Sequence, residues 1–170
     1  MSGTGALPPV RVGQAVDAHA FAGDDRVLRL GGVAVPGAPG LAGHSDGDVV
    51  LHAVADALLG ACALGDLGAL FGTDDPAYAG ADSAVFVGQA LARVAGAGYA
   101  LGNVDATIVA QRPRLAAHLP AIRASVAAVL DVEEALVSVT ATSTDGLGFT
   151  GRGEGLACTA VATVLARTGQ

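Results

Sequence analysis

Apolar and polar positions along the chain change period several times, and each change predicts an element. Residues 10–20 and 27–35 alternate as strands do. They are joined by Ala-Gly-Asp-Asp at 22–25 and punctuated by Gly31-Gly32 and the Pro-Gly-Ala-Pro-Gly run at 36–40. Residues 46–63 are apolar at helical spacing. Ser45 is the expected N-cap, and Asp46 and Asp48 suit the positive end of the helix dipole. Residues 66–81, rich in Gly, Asp and Pro, read as a loop. Residues 83–96 read as a second helix capped by Asp82 or Ser83, and residues 99–111 alternate as a strand. A third helix is expected to begin at Pro120, since proline suits a first helical position. Residues 137–143 read as a strand, followed by a Gly-rich segment. Residues 156–167 fit strand or helix by period alone, and their β-branched content favours strand. The sum is an α/β (α+β) domain of two layers: a mixed four-stranded sheet packed against helices, plus a small N-terminal hairpin. Residues 1–9 are expected to be a disordered extension and residues 10–170 a single domain. No internal repeat and no linker interrupts it.

Composition narrows the picture. A chain of 170 residues can bury a core. Trp is absent and aromatics make up 4%, so that core must be filled by Ala, Val and Leu. All nine basic residues are arginine, which excludes a lysine Schiff base and a Walker-type phosphate lysine. The net charge of −7 argues against a nucleic-acid partner. A phosphorylated substrate would need metal ions or arginines to offset that charge. The N-terminus has no basic segment followed by an apolar core, so no signal peptide is expected. The most apolar stretch, residues 49–65, is interrupted by His52 and Asp56 and is too short to span a bilayer, so no membrane partner is expected. Cys62 and Cys158 sit far apart in apolar surroundings and read as reduced core thiols of a cytoplasmic protein.

The candidate chemistry begins in the first strand. Residues two apart on a strand share a face, so Asp17 and His19 can reach one ion together. A third ligand would come from elsewhere, and the other histidines are His44, His52 and His118. An Asp/His/His set suits zinc or a similar dication and leaves one coordination position open, as catalytic sites require. The pair alone is a weak signal. His52 could equally be a hydrogen-bonded core histidine. Asp56, four residues on along the same helical face, could hold the His52 tautomer or form an ordinary buried pair with it.

Four segments together resemble the 2-C-methyl-D-erythritol 2,4-cyclodiphosphate synthase family. They are VDAHAF at 16–21, GHSDGDVVLHAVADALLGACALGDLGALF at 43–71, GNVDATIVAQRPRL at 102–115 and TSTDGLGFTGRGEGLACTAVA at 142–162. The likeness runs from about Arg11 to Arg167 in the family's order and spacing. It implies an enzyme of the non-mevalonate isoprenoid pathway, a cyclising and CMP-releasing phosphorus–oxygen lyase. Its substrate would be 4-diphosphocytidyl-2-C-methyl-D-erythritol 2-phosphate. The 2-phosphate would attack the β-phosphorus and CMP would leave. Such a reaction needs little acid–base work but much charge neutralisation, which metal ions would supply to a lysine-free protein.

The resemblance also implies roles. Asp17, His19 and His52 would hold zinc, with Asp17 and His19 also close to the substrate. His44 and Ser143 would stabilise the transition state, and Ser45 would touch substrate. Asp66, Leu67 and Gly68 would hold the methylerythritol hydroxyls, with Phe71 and Asp75 in the adjoining substrate loop. Residues 110–116 (Ala110, Gln111, Arg112, Pro113, Arg114, Leu115 and Ala116) would form the cytidine pocket. Thr142, Ser143, Thr144 and Asp145 would bind diphosphate, Asp145 with a second ion, magnesium. Phe149 and Arg152 would lie near the substrate. This chain departs from the family pattern at Gly72, in the Thr73-Asp74 order, and at Arg114, Ser143, Asp145 and the opening GQAVDAH. The resemblance further implies a homotrimer with each active site between two subunits. Zinc and diphosphate would be bound by one chain and cytidine by the next. Two alternatives share part of the pattern: a metal-dependent phosphoesterase that hydrolyses instead of cyclising, and a binding module without turnover.

Overall fold

The computed structural model describes residues 8–72 and 80–167. The chain opens with a long strand, β1 (Val10–Ala20), and a short hairpin, β2 (Val27–Leu30) and β3 (Val33–Pro39). Helix α1 (Val49–Ala61) follows, then a single turn α2 (Leu67–Phe71) and helix α3 (Ala84–Gly96). Strand β4 (Tyr99–Val109) leads through α4 (Leu119–Leu130) to β5 (Val137–Thr142), and a short turn α5 (Gly148–Gly151) precedes the last strand, β6 (Gly155–Ala166). The main sheet has the order β1-β6-β4-β5, with β4 and β5 parallel and the other pairs antiparallel. Parallel neighbours need a crossover, and α4 supplies it. Helix α1 packs on β1 and β6, α3 on α1 and β4, and α4 on β5. The expected mixed four-stranded sheet with one helical layer is therefore present.

The core is aliphatic, as the composition requires. The inward residues of β6, from Leu156 through Cys158, Ala160 and Ala162 to Val164, are fully buried, as are Val104 to Ile108 of β4 at alternate positions. Helix α1 is buried nearly all round because it lies between the sheet and α3. His52 and Asp56 are its two incompletely buried positions before Gly60, one turn apart. Gly13 on β1 lets α1 come close: a Cβ there would stand 2.0 Å from the Ala57 carbonyl oxygen. The outward face of β1 carries Val10, Val12 and Val16, all more than half exposed.

Several boundaries differ from the sequence expectations. The stretch 27–35 is not one strand. It folds back at Gly31 and Gly32, both at positive φ, and this β2–β3 pair is the hairpin, while β1 joins the main sheet. Helix α1 begins at Val49, and its cap is Asp48, not Ser45, because Gly47 at φ +73° breaks the path between them. The fully buried Asp48 carboxylate accepts from Val50 N and Leu51 N at 3.0 and 3.1 Å and from Gly31 N and Gly32 N at 2.8 and 2.6 Å. It joins the hairpin turn to the helix start. Residues 66–81 include the turn α2, capped by Asp66 through Ala69 N at 2.8 Å. Helix α4 starts at Leu119, with Pro120 in its first turn. The final segment is a strand, as expected.

Candidate metal centre

Alternation along β1 turns Asp17 and His19 toward the helical layer. The Gly13–Ala57 approach and the Asp17–His52 contact together show α1 running back along β1, which delivers His52 to the same point. Asp17 Oδ2 lies 3.1 Å from His19 Nε2 and 3.1 Å from His52 Nδ1, and the two nitrogens are 3.3 Å apart. A tetrahedral ion with bonds near 2.0–2.1 Å sets its ligand atoms about 3.3 Å apart. The triangle fits such an ion. His52 has both a ligand-like approach to Asp17 and His19 and hydrogen-bond partners on its far side, and the three residues form the candidate metal group among the described residues.

The far side of each imidazole is also engaged. His19 Nδ1 meets the Ala42 carbonyl at 2.5 Å, so it carries the proton and leaves the Nε2 lone pair toward the triangle. His52 Nε2 lies 3.0 Å from Ser45 Oγ and 2.9 Å from Ser83 Oγ. Asp56 does not hold the His52 tautomer: its Oδ1 accepts from Leu67 N at 2.7 Å and so pins the start of α2. Burial works against charge on Asp17, but in the metal-free triangle its close contacts with the His19 and His52 imidazoles outweigh that effect and hold the carboxyl well below the usual range. The bond to Asp17 raises the His19 pKa in turn, against the effect of burial.

The triangle lies in a cleft of about 280 Å³ whose lining includes His44, Ser45, Asp56, Leu67, Gly68, Phe71 and Phe86. Phe71 and Phe86 pack with ring centroids 5.1 Å apart and form its apolar wall. His44, Ser45, Leu67, Gly68 and Phe71 are thus brought together with the metal triangle. Asp75, with Thr73 and Asp74, lies outside the described residues.

A second cleft, of about 400 Å³, collects Ala110, Gln111, Pro113, Arg114, Leu115, Ala116, Thr142 and Ser143. Arg112 faces another groove, beside Phe21 and Pro39. Gln111 Oε1 accepts from Gly146 N at 3.2 Å and ties the 110–116 segment to the turn after β5. In that turn Ser143 Oγ donates to Asp145 Oδ1 at 3.0 Å, and Thr144 Oγ1 donates to the Leu147 carbonyl. Within one chain the expected diphosphate residues therefore sit with the expected cytidine residues, not with the metal ligands. The reason is topological: β4 and β5 are parallel neighbours, so their C-terminal ends emerge side by side. Asp17 lies level with Ile108 and Ala141, two and three strands away, about 10 and 14 Å by strand spacing. Phe149 is exposed, and Arg152 is exposed and paired with Glu154 through two bonds of 2.7 and 3.1 Å.

Sequence reasoning gave Asp46 to the helix dipole and Ser83 to a cap, and missed the Asp46–Ser83–His52 connection. Its signal is spatial: Asp46 and Ser83 lie 37 residues apart in the chain, and no period links them.

The sequence profile of the YgbB family matches residues 10–165. A curated relative from Halalkalibacterium halodurans, 2-C-methyl-D-erythritol 2,4-cyclodiphosphate synthase, is 53% identical over 89% of this chain and 96% of its own length. Among solved structures, IspF of Plasmodium falciparum in a CDP complex superposes with a TM-score of 0.82 at 29% identity, covering 96% of this chain and all of that one. The bifunctional IspDF of Campylobacter jejuni gives a TM-score of 0.88 at 38% identity over 92% of this chain, which spans 42% of that protein. With the profile covering all but the two ends, the chain belongs to the YgbB family.

Proposed function

We propose that the chain converts 4-diphosphocytidyl-2-C-methyl-D-erythritol 2-phosphate to 2-C-methyl-D-erythritol 2,4-cyclodiphosphate and CMP, in the non-mevalonate isoprenoid pathway. An oxygen of the 2-phosphate bonds to the β-phosphorus. The bond from that phosphorus to the oxygen shared with the α-phosphorus breaks, and CMP leaves with that oxygen. The observation that carries this reading is the Asp17–His19–His52 triangle at the edge of a cleft, in a chain 53% identical to a named synthase.

Asp17, His19 and His52 would hold zinc, whose ligand types and spacing they suit, and the bound ion would supply Lewis-acid chemistry to the substrate phosphates. The remaining work falls to side chains. His44 and Ser45, on the cleft wall, hold the phosphates and stabilise charge that develops on their oxygens. Leu67 and Gly68 line the cleft, and Asp66 accepts hydroxyls of the methylerythritol while capping α2. Backbone groups of residues 110–116 read the cytosine, while Thr142, Ser143 and Thr144 take the diphosphate. Asp145 would hold a second ion, magnesium, which would help neutralise the substrate phosphates. Phe149 and Arg152 border the substrate.

Two half-sites two to three strand spacings apart on one chain support an active site between neighbouring subunits, and the family resemblance makes that assembly a homotrimer. The apolar outer face of β1 and Leu165 of β6 would be covered there. The revised division gives the metal cleft to one subunit and the cytidine and diphosphate cleft to the next. Cys62 and Cys158, buried and free, suit the reducing cytoplasm. Among the described residues no helix is long and apolar enough to cross a membrane.

The test is phosphorus NMR on the cytidine substrate, with protein stripped by chelator and then reloaded with zinc. Cyclic diphosphate and CMP, formed only after reloading, are expected. CMP with a linear product would instead mark a phosphoesterase. Full zinc occupancy without turnover would mark a binding module.

A further inference from the structure

Ser83 occupies the N-cap of α3, yet its hydroxyl makes no capping bond. Asp82 Oδ1 accepts from Ala84 N at 2.9 Å in its place. The Ser83 side chain, fully buried, turns away to Asp46 and His52. Asp46 is held firmly: Oδ2 accepts from Ser83 N at 3.2 Å, Oδ1 accepts from Asp48 N at 3.3 Å, and its own N–H donates to the Ala81 carbonyl at 3.2 Å. The Ser83 O–H donates to Asp46 Oδ1 in a short bond. A carboxylate can only accept, so the hydroxyl hydrogen is committed to it. Ser83 Oγ is then an acceptor toward His52 Nε2, 2.9 Å away. Nε2 must carry the imidazole proton, and Nδ1 keeps its lone pair for the triangle with Asp17 and His19.

We propose that Ser83, oriented by Asp46, is a positioning residue that fixes His52 as the tautomer presenting Nδ1 to the metal. The proposal rests on the metal reading of Asp17, His19 and His52. Ser45 also lies 3.0 Å from His52 Nε2, but its position in the cleft leaves it the task of meeting substrate. Ser83 is fully buried and is not among the residues that line the cleft. The link also spans two elements, since Asp46 precedes α1 and Ser83 starts α3.

The experiment measures zinc affinity by chelator competition for the wild-type chain, Ser83→Ala, Ser83→Thr and Asp46→Asn. Metal-free unfolding midpoints are recorded alongside. Ser83→Ala is expected to bind zinc about 10–100-fold more weakly. Ser83→Thr, which keeps the hydroxyl, is expected to recover most of that loss. Asp46→Asn, which no longer dictates the hydroxyl's direction, is expected to fall between. A purely structural tie between α3 and the preceding loop would lower the midpoint and leave affinity unchanged, and that result overturns the proposal. Long-range nitrogen NMR of the zinc-loaded wild type reads the tautomer without any variant. A protonated His52 Nε2 supports the proposal, and a protonated Nδ1 overturns it even where a variant fails to fold. Wild-type protein that binds no zinc at this triangle removes the metal reading itself. Binding by the wild type with equal affinity in Ser83→Ala removes this inference alone.

Discussion

Gly13 of β1 and Ala57 of α1 touch backbone to backbone: a Cβ on Gly13 would lie 2.0 Å from Ala57 O and 2.3 Å from Ala61 N. Neither atom is the end of a flexible side chain, so the helix itself would have to move. Since α1 carries His52 and β1 carries Asp17 and His19, this contact sets the depth of the metal triangle. Gly13→Ala is expected to destabilise the chain by about 3 kcal/mol. It should also weaken zinc binding, because His52 Nδ1 would be lifted from its 3.1 Å approach to Asp17. Thermal unfolding and chelator competition check the two effects. A stable variant with wild-type affinity would contradict the claim that this contact sets the depth of the triangle.

The ligand triangle makes a sharper prediction. His19→Ala and Asp17→Asn each remove one of three donor groups or its charge. Both are expected to lose zinc by more than about 100-fold in affinity, since loss of a mere outer partner already costs about 10–100-fold. Turnover of the cytidine substrate should vanish with the metal. Metal analysis of the purified variants alongside the phosphorus NMR assay is the check. Normal activity in either variant would remove that residue from the ligand set.

Much of this centre was legible in the sequence, for reasons that can be named. Strand alternation alone set Asp17 beside His19, but it left His44, His52 and His118 open as the third member, and the family resemblance, not the pattern, singled out His52. The burial of α1 on both sides explains why so few polar residues are allowed there. Boundaries were less legible. Residue type favours Ser45 as a cap, but the four N–H groups around Asp48 decide it, and two of them come from a turn 16 and 17 residues away. Apolar residues on both sides of Gly31-Gly32 keep one alternation going and hide the reversal. The five residues of α2 are too few to show a helical period. The grouping of residues 142 and 143 with 110–116 depends on strand order, which no local pattern carries. The same holds for Asp46 and Ser83.

Asp48 links the hairpin to α1 through four backbone donors on one buried carboxylate. Asp48→Asn keeps the shape but leaves one carbonyl oxygen to serve them, and it turns an NH₂ group toward N–H donors. The expected cost is about 3 kcal/mol, from buried donors left without partners. Hydrogen exchange should quicken first at Gly31 and Gly32, before the sheet opens. Uniform exchange changes across the molecule, with Gly31 and Gly32 no faster than the rest, would contradict the clamp.

Cys158 gives the chain a predictable alkaline weakness. It is fully buried in β6, opposite Asp17 on β1. Burial, then the negative charge of Asp48 and Asp17, pushes its thiol up to about 12 from the ordinary value of 9.0. The native state therefore keeps a proton that the unfolded chain gives up. Below about pH 9 both states are protonated and the thiol has no effect on the balance. As the pH rises from about 9 toward 12, the unfolded state gains thiolate and native stability falls. By about pH 10.5 the loss should reach roughly 2 kcal/mol. Cys158→Ala is expected to be less stable at neutral pH, because it leaves a small cavity, yet to lose less stability across that alkaline range. Unfolding midpoints of both proteins at about pH 8.5 and 10.5 decide the matter. Parallel losses in the two would assign the alkaline weakness to other groups.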